Sequence, residues 1–262
     1  MQPKTLLFVP MYNCSKQIVR VLAQLDEAIL EYIDECIVVN NRSTDDGEEA
    51  VLKFKEANPS VPVKLLRNHE NYGGGGSHKV AFNYAIDNGY DYVIVLHGDD
   101  QGDIHDLLPY LVNGEAYKYD SFLGARFAKG SKLVNYSKFR IFGNYVFNAF
   151  MTVILGRKIK DLGSGLNMYS VKYLSSRFYM YFINSLTFYV YMLIYGVYSK
   201  SNFTFFPLSW REDDQVSNAK FVKQAKEIFK ISFRYRFSPK KTFSGEENEY
   251  SKIEYLSDVI NS

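Results

Sequence analysis

Residues Tyr92-Val93-Ile94-Val95-Leu96 form an uncharged, β-branched run of strand length that stops abruptly at His97-Gly98-Asp99-Asp100-Gln101-Gly102-Asp103. A run without polar alternation suits a strand buried on both faces, and such strands belong to parallel sheets flanked by helices. In open α/β sheets, ligands bind just beyond the carboxyl ends of the strands. The run therefore delivers His97, Asp99, Asp100 and Asp103 to the place where a phosphorylated ligand and its cation would sit. The plainer alternative is that these acids solvate a turn and cap a helix beginning near Ile104.

The surrounding pattern extends the sheet. Strands are expected at Thr5–Val9, Glu35–Val39 and Val63–Arg67, with helices over Gln17–Tyr32, Glu48–Ala57 and His78–Asn88 between them. Strands alternating with helices of this length predict βαβ units and a doubly wound, mostly parallel sheet. Right-handed crossovers gather the strand-end loops on one edge. Three polar loops then converge on the acids: Pro10-Met11-Tyr12-Asn13, Asn40-Asn41-Arg42-Ser43-Thr44-Asp45 and Asn71-Tyr72-Gly73-Gly74-Gly75-Gly76-Ser77. Glycines ahead of a helix let backbone N–H groups approach an anion closely, although a glycine run is equally a flexible turn. It is not a P-loop, because no Gly-Lys-Ser/Thr follows, and a dinucleotide fingerprint would belong after the first strand.

With 262 residues, 47% of them hydrophobic, the chain has enough apolar surface for one large α/β domain with an appendage. A net charge of +2 is too mild to announce nucleic acid. Cys14 and Cys36 have no metal-ligand spacing and read as two small buried thiols in a reducing compartment. The N-terminus lacks the features of a signal peptide, so a cytoplasmic protein is expected. Phe178 to Tyr198 carries no charge and is long enough to span a bilayer. Its six tyrosines and the Asn184-Ser185 interruption favour two packed elements, with Asn184 capping a helix that opens at Leu186.

The second half is less regular. A strand at Phe122–Arg126, a basic loop at Lys129–Lys138, a helix over Phe139–Leu155 and a strand at Phe203–Pro207 are expected. From Lys220 to Lys241, eight bases face one acid, Glu227, with Phe221, Ala225, Ile228, Phe229 and Ser232 at helical spacing. Such a helix either lies on an anionic membrane or packs its aromatic face on the domain and leaves a solvated basic edge. The organisation is thus a main domain over residues 1–219 (halves 1–115 and 116–219), a basic helix over 220–241 and a polar tail over 242–262, loosely ordered at least to Asn248.

Five motifs in this order resemble the family-2 glycosyltransferases, and within them the polyprenyl-phosphate, dolichol-phosphate-mannose-type branch. They are Pro10-Met11-Tyr12-Asn13; Val38-Val39-Asn40-Asn41-Arg42-Ser43-Thr44-Asp45; Asn71-x-Gly73-x-Gly75-x-Ser77-x-Lys79; His97-x-Asp99-x-Gln101; and Arg126 followed by Arg140, Asn144 and Asn148. Asp161-Leu162-Gly163-Ser164-Gly165 and the Ser209-Trp210-Arg211…Ser217-Asn218-Ala219-Lys220 stretch add acceptor-side similarity. The resemblance implies a GT-A (nucleotide-diphospho-sugar transferase) fold with a C-terminal amphipathic helical extension.

It also implies site residues. Pro10, Tyr12, Asn13, Asn40, Asn41, Ser43, Asn71, Gly73, Gly75, Lys79, Gly98, Asp99, Asp100 and Gln101 would line the pocket for a UDP- or GDP-linked sugar. Lys79 would lie near the diphosphate. Asp99 and His97 would hold a divalent cation, Mn2+ or Mg2+. An imidazole replacing the family's first aspartate favours Mn2+, since Mg2+ prefers oxygen. Cys14 replaces the family's glutamate, and the Asn40-Asn41 pair can donate as well as accept, which leaves the base open. Arg126, Arg140, Asn144, Trp210, Arg211, Ser217 and Lys220 would bind the acceptor.

A polyprenyl phosphate acceptor needs no general base. A sugar hydroxyl of a growing glycan or surface polysaccharide would need one, and Asp161 is the candidate. The implied activity is metal-dependent, inverting hexosyl transfer; a non-catalytic nucleotide-sugar-binding protein is the alternative from another class. Full-length lipid-linked transferases of this kind carry C-terminal transmembrane helices that this sequence does not show. The expectation is therefore a soluble protein, or one peripheral on the cytoplasmic face of the membrane, with room for a homo-oligomer.

Overall fold

A computed structural model describes residues 2–213, 221–243 and 248–260, apart from the side chains of 221–223. In chain order its elements are β1 (Thr5–Met11), α1 (Ser15–Leu22), α2 (Glu27–Leu30), β2 (Glu35–Asn40), α3 (Gly47–Ala57), β3 (Val63–Asn68), α4 (Gly73–Asp87), β4 (Tyr92–Leu96), α5 (Leu108–Val112), β5 (Ser121–Ala125), β6 (Leu133–Val134) and α6 (Lys138–Leu155). There follow β7 (Leu166–Ser170), α7 (Val171–Leu174), α8 (Phe188–Tyr198), β8 (Phe203–Pro207), β9 (Trp210–Arg211), α9 (Phe221–Phe237), α10 (Pro239–Thr242) and β10 (Ser257–Ile260).

Eight strands make one sheet in the order β10-β3-β2-β1-β4-β7-β5-β8. The β3-β2-β1-β4 half is parallel, as its uncharged runs require. Leu6, Phe8, Ile37 and Val39 face one apolar core, and Leu7, Val9, Cys36 and Val38 face the other. Both faces are therefore covered, and each fully buried aliphatic side chain contributes about 1.5–3 kcal/mol. From β1 the chain steps outward through β2 and β3, then returns to place β4 on the other side of β1. The order reverses between β1 and β4, which is where open sheets bind ligands. The Gly98 N–H donates to Pro10 O across that crevice at 3.2 Å.

Several elements differ from the sequence reading. The helix expected over Gln17–Tyr32 is broken into α1 and α2, because Asp26 caps a new helix by accepting from the Ile29 N–H at 3.1 Å. Asn184 does not open a helix; α8 starts at Phe188 after Thr187. Strand β7 was not anticipated. Leu166-Asn167-Met168-Tyr169-Ser170 has no β-branched residue, and it is a strand because it pairs antiparallel with both β4 and β5. The expectation of a loose tail reaches Asn248, and beyond it the tail is tied down. Strand β10 pairs antiparallel with the β3 edge, and Tyr255 is buried.

Helix α9 packs on α6: Phe229 meets Phe150 at 5.2 Å between ring centroids, and the Ser232 hydroxyl lies 3.2 Å from Met151 Sδ. Aromatic surface remains outside this contact on both helices, where Phe139 is 85% and Phe237 77% exposed. No helix among the described residues is long and apolar enough to cross a membrane.

Candidate functional site

The first three strand-end loops are sewn together by amides. Asn40 donates to Glu48 Oε1 at 2.6 Å and accepts from the Ser43 N–H at 2.8 Å. Asn41 donates to Asn71 Oδ1 at 2.7 Å while its own Oδ1 accepts from Asn68 and from the Tyr72 N–H. Asn13 accepts from the Thr44 N–H and donates its backbone N–H to the Ser43 hydroxyl. The amides expected to read a base edge are thus engaged in shaping the pocket. Tyr12, exposed beside them, offers a ring face.

The glycine run is not a flexible turn before a helix. It is the first turn of α4, and its glycines admit another stretch of backbone. A Cβ on Gly75 would lie 2.6 Å from Ile183 O, and one on Gly73 would lie 2.5 Å from Asn184 O. The Gly75 N–H already donates to Asn184 O at 2.8 Å. Nor does Lys79 reach toward a diphosphate. Its ammonium is fully buried and donates to Phe182 O at 2.5 Å, Asn184 Oδ1 at 2.8 Å, Tyr255 Oη at 3.0 Å and Met180 O at 3.2 Å. Burial pulls its pKa down to about 7. Gly73, Gly75 and Lys79 hold the Met180–Asn184 segment and the C-terminal strap in place.

The acid knot divides into two functions. Asp100 is fully buried, sits at a φ of 61°, and is neutralised by Arg20, 2.5 Å away, and by the Arg211 guanidinium. Arg211 also donates its Nε–H to Asp100 O at 2.8 Å and its backbone N–H to Gln101 O at 3.0 Å. Gln101 returns a bond to Arg211 O at 3.3 Å. Asp103 caps the turn at Ile104 and accepts from His105. Asp100, Gln101 and Arg211 therefore pin the knot to β9 instead of presenting charge to a ligand.

Asp99 and His97 follow the end of β4 and are both partly buried. Desolvation raises the Asp99 carboxyl above its ordinary range despite the opposing influence of His97. Burial lowers the His97 imidazole, with Asp99 opposing and Arg126 assisting. A partly buried carboxylate beside a neutral imidazole suits a divalent cation of the Mn2+ type. Among the described residues no three His, Cys, Asp or Glu side chains form a ready metal cage. Two protein donors nonetheless fit a cation that completes its shell with substrate phosphates.

At the end of β5, Arg126 grips Asp161 through Nε–H and Nη2–H, both at 2.8 Å, and donates to Gly163 O. Its guanidinium lies 5.0 Å from the buried Trp210 ring. Burial opposes its charge, but Asp161 outweighs that and raises its pKa further. Arg140 pairs with Glu212 at 2.5 Å and lies 4.6 Å from the Tyr136 ring. Asn144 donates to Arg140 O at 2.8 Å. Ser217 and Lys220 lie outside the described residues.

A family model for Glycosyl transferase family 2 matches residues 7–178, about two thirds of the chain and every loop of this site up to Gly165. The chain belongs to glycosyl transferase family 2. Its α/β fold is GT-A-like. A curated relative, the undecaprenyl-phosphate mannosyltransferase of Micrococcus luteus, is 27% identical over 168 residues. That match covers 63% of this chain and 66% of the relative, just under two thirds of its length.

Solved structures share the fold. Glucosyl-3-phosphoglycerate synthase from Mycobacterium tuberculosis with phosphoglyceric acid superposes with a TM-score of 0.61 at 16% identity, covering 89% of this chain and 80% of that one. The same enzyme with Mn2+, uridine diphosphate and glucosyl-3-phosphoglycerate gives 0.61 at 15% identity, over 98% and 87% of the two chains.

For a family-2 enzyme, the structure adds residues that motif reading missed. Arg20 from α1 and Gln24 from the turn after it reach Asp100, and Gln24 also accepts from the Ile104 N–H at 2.9 Å. Nothing in their spacing marks them. His78 and Tyr189 lie behind His97. The uncharged, tyrosine-rich stretch around Tyr189 was the only sequence signal for them.

Proposed function

We propose that this family-2 enzyme transfers a sugar, with inversion, from a UDP- or GDP-linked donor to a polyprenyl phosphate, using a divalent cation shared by Asp99, His97 and the diphosphate. The observation that carries the acceptor class is the Arg126–Asp161 pair. A sugar hydroxyl needs a carboxylate to take its proton, and Asp161, the best-placed one, is locked in a two-pronged bond to Arg126. A lipid phosphate arrives already ionised and needs no base. The Micrococcus luteus relative, named for an undecaprenyl-phosphate acceptor, supports the same class.

When bound, the cation supplies neutralisation of the charge that develops on the leaving diphosphate. Arg140 exchanges the partly exposed carboxylate of Glu212 for the acceptor phosphate, and Arg126, steadied by Asp161 and Trp210, lines it up. The exposed Lys129, Lys132 and Lys138 make the approach electropositive. The exposed aromatic faces of α6 and α9 rest on the membrane that carries such an acceptor.

Radiolabelled UDP- and GDP-sugars incubated with polyprenyl phosphate and Mn2+ test this. Labelled product should partition into organic solvent, and Arg140→Lys, which loses the planar fork, should raise the acceptor KM about tenfold or more. Transfer to a glycan with none to lipid would reject the acceptor class and return Asp161 to the role of base.

A further inference from the structure

Behind His97 the structure holds a hydrogen-bonded chain that neither the family motifs nor the proposed reaction uses. His78 Nδ1 faces Gly74 O at 2.7 Å, and His78 Nε2 faces the Tyr189 hydroxyl at 2.5 Å. The same hydroxyl meets His97 Nε2. His78 is 2% exposed and packed among Phe8, Phe82 and Phe188, a setting that keeps it neutral.

The protons along this chain can be counted. A carbonyl oxygen only accepts, so His78 carries its proton on Nδ1 and presents a lone pair at Nε2. Tyr189 has one hydroxyl proton and must donate it to that lone pair. The Tyr189 oxygen then accepts, and the hydrogen toward it comes from His97 Nε2–H. A neutral imidazole with hydrogen on Nε2 has its lone pair on Nδ1. The opposite assignment would need His78 Nδ1 to accept from a carbonyl, or His78 to be a buried imidazolium.

The His97 ring is also fixed in orientation. A Cβ on Gly165 would lie 3.0 Å from His97 Cγ, and the His97 N–H donates to Gly165 O at 2.8 Å.

We propose that Tyr189 and His78 are positioning residues that hold His97 in the Nε2–H form, so that Nδ1 is the nitrogen offered to the donor-site divalent cation. This rests on the reading of His97 and Asp99 as the cation's protein ligands. It also rationalises the imidazole in a place where the family has a carboxylate: the hydrogen-bond partner that an imidazole ligand needs on its other nitrogen is the Tyr189 hydroxyl of α8, itself held by His78 of α4.

Long-range 1H–15N NMR on the metal-free protein, labelled at histidine nitrogens and assigned with His97→Gln, reads the tautomer without any substrate. The expected spectrum has the His97 proton on Nε2; a proton on Nδ1 overturns the proposal, whatever becomes of the Tyr189 variant. Titration with Mn2+ in the presence of UDP, and separately GDP, followed by the EPR signal of free Mn2+, reads the consequence. Tyr189→Phe should weaken Mn2+ binding about 10–100-fold while leaving the circular dichroism spectrum unchanged. Binding within twofold of the native protein would overturn the positioning role. Equal Mn2+ binding by the native protein and His97→Gln would instead overturn the ligand assignment beneath it, so the two failures are told apart by whether His97→Gln weakens binding.

Discussion

Asp100 shows how far a residue's type can mislead about its role. In sequence it is one more acid in a cluster, interchangeable with Asp99 as a ligand. In the fold its left-handed backbone turns it inward, between Arg20 and Arg211, and away from the crevice. Asparagine and aspartate tolerate that backbone region better than alanine does, and glycine tolerates it best. Asp100→Ala and Asp100→Gly remove the same ion pairs but differ in backbone strain. Urea denaturation should therefore find the alanine variant less stable than the glycine variant by about 1 kcal/mol.

Lys79 makes the same point by titration. Its folded pKa of about 7 lies below the ordinary value of 10.5. Between those values the unfolded chain binds the extra proton, so this lysine's contribution to stability rises with pH from about 7 toward 10.5 and is flat below 7. Thermal midpoints at pH 7 and pH 9 should show a gain in the native protein that Lys79→Met lacks. An equal gain in both would place the ammonium's titration elsewhere.

At the scale of elements, what was legible in the sequence followed the strength of local signals. The parallel half of the sheet was readable because its runs are uncharged and β-branched, and the convergence of its loops follows from topology. Helix α3 and strand β8 also came out nearly residue for residue. Strand β7 was not readable, because its strand character comes from β4 and β5 on either side. The glycine run was misread because a composition that permits close approach does not say what approaches: here it is the Ile183–Asn184 backbone, not a phosphate. The site was half legible in the same sense. Its loops were found, but the ion pairs that engage Asp100, Asp161 and Arg211, and the carbonyl and amide oxygens that hold Lys79, are long-range contacts invisible to spacing.

Two glycine substitutions separate these cases by differential scanning calorimetry. Gly75→Ala drives a methyl into a carbonyl oxygen that cannot yield, and should lower the midpoint. Gly143, exposed in α6 with nothing within 4 Å of its absent Cβ, should give about 0.5–1 kcal/mol of added stability on conversion to alanine.

Across the whole molecule, the proposed acceptor side of the sheet and the exposed aromatic ridge meet on one helix. Arg140 stands in the first turn of α6, and Phe139 and Phe142 flank it in sequence, both largely exposed. Helix α9 packs against α6 and adds exposed Phe233 and Phe237, together with exposed Lys226, Lys230, Arg236, Lys240 and Lys241 from α9 and α10. Apolar rings beside clustered bases match the boundary of an anionic bilayer, where each base near the surface contributes about 1 kcal/mol at modest ionic strength. A lipid phosphate presented at that boundary would meet Arg140 without leaving its membrane.

Co-sedimentation with vesicles containing phosphatidylglycerol should therefore retain the protein at low salt and release most of it as the screening length shrinks to about 8 Å near 0.15 M. Neutral phosphatidylcholine vesicles should retain little. The double variant Phe139→Ser, Phe237→Ser should weaken binding to the anionic vesicles at low salt while leaving hydrolysis of a nucleotide sugar in solution unchanged. Equal retention by neutral and anionic vesicles would argue against the basic contribution. Absence of retention by either would detach this face from the membrane and leave the acceptor phosphate to reach Arg140 from solution.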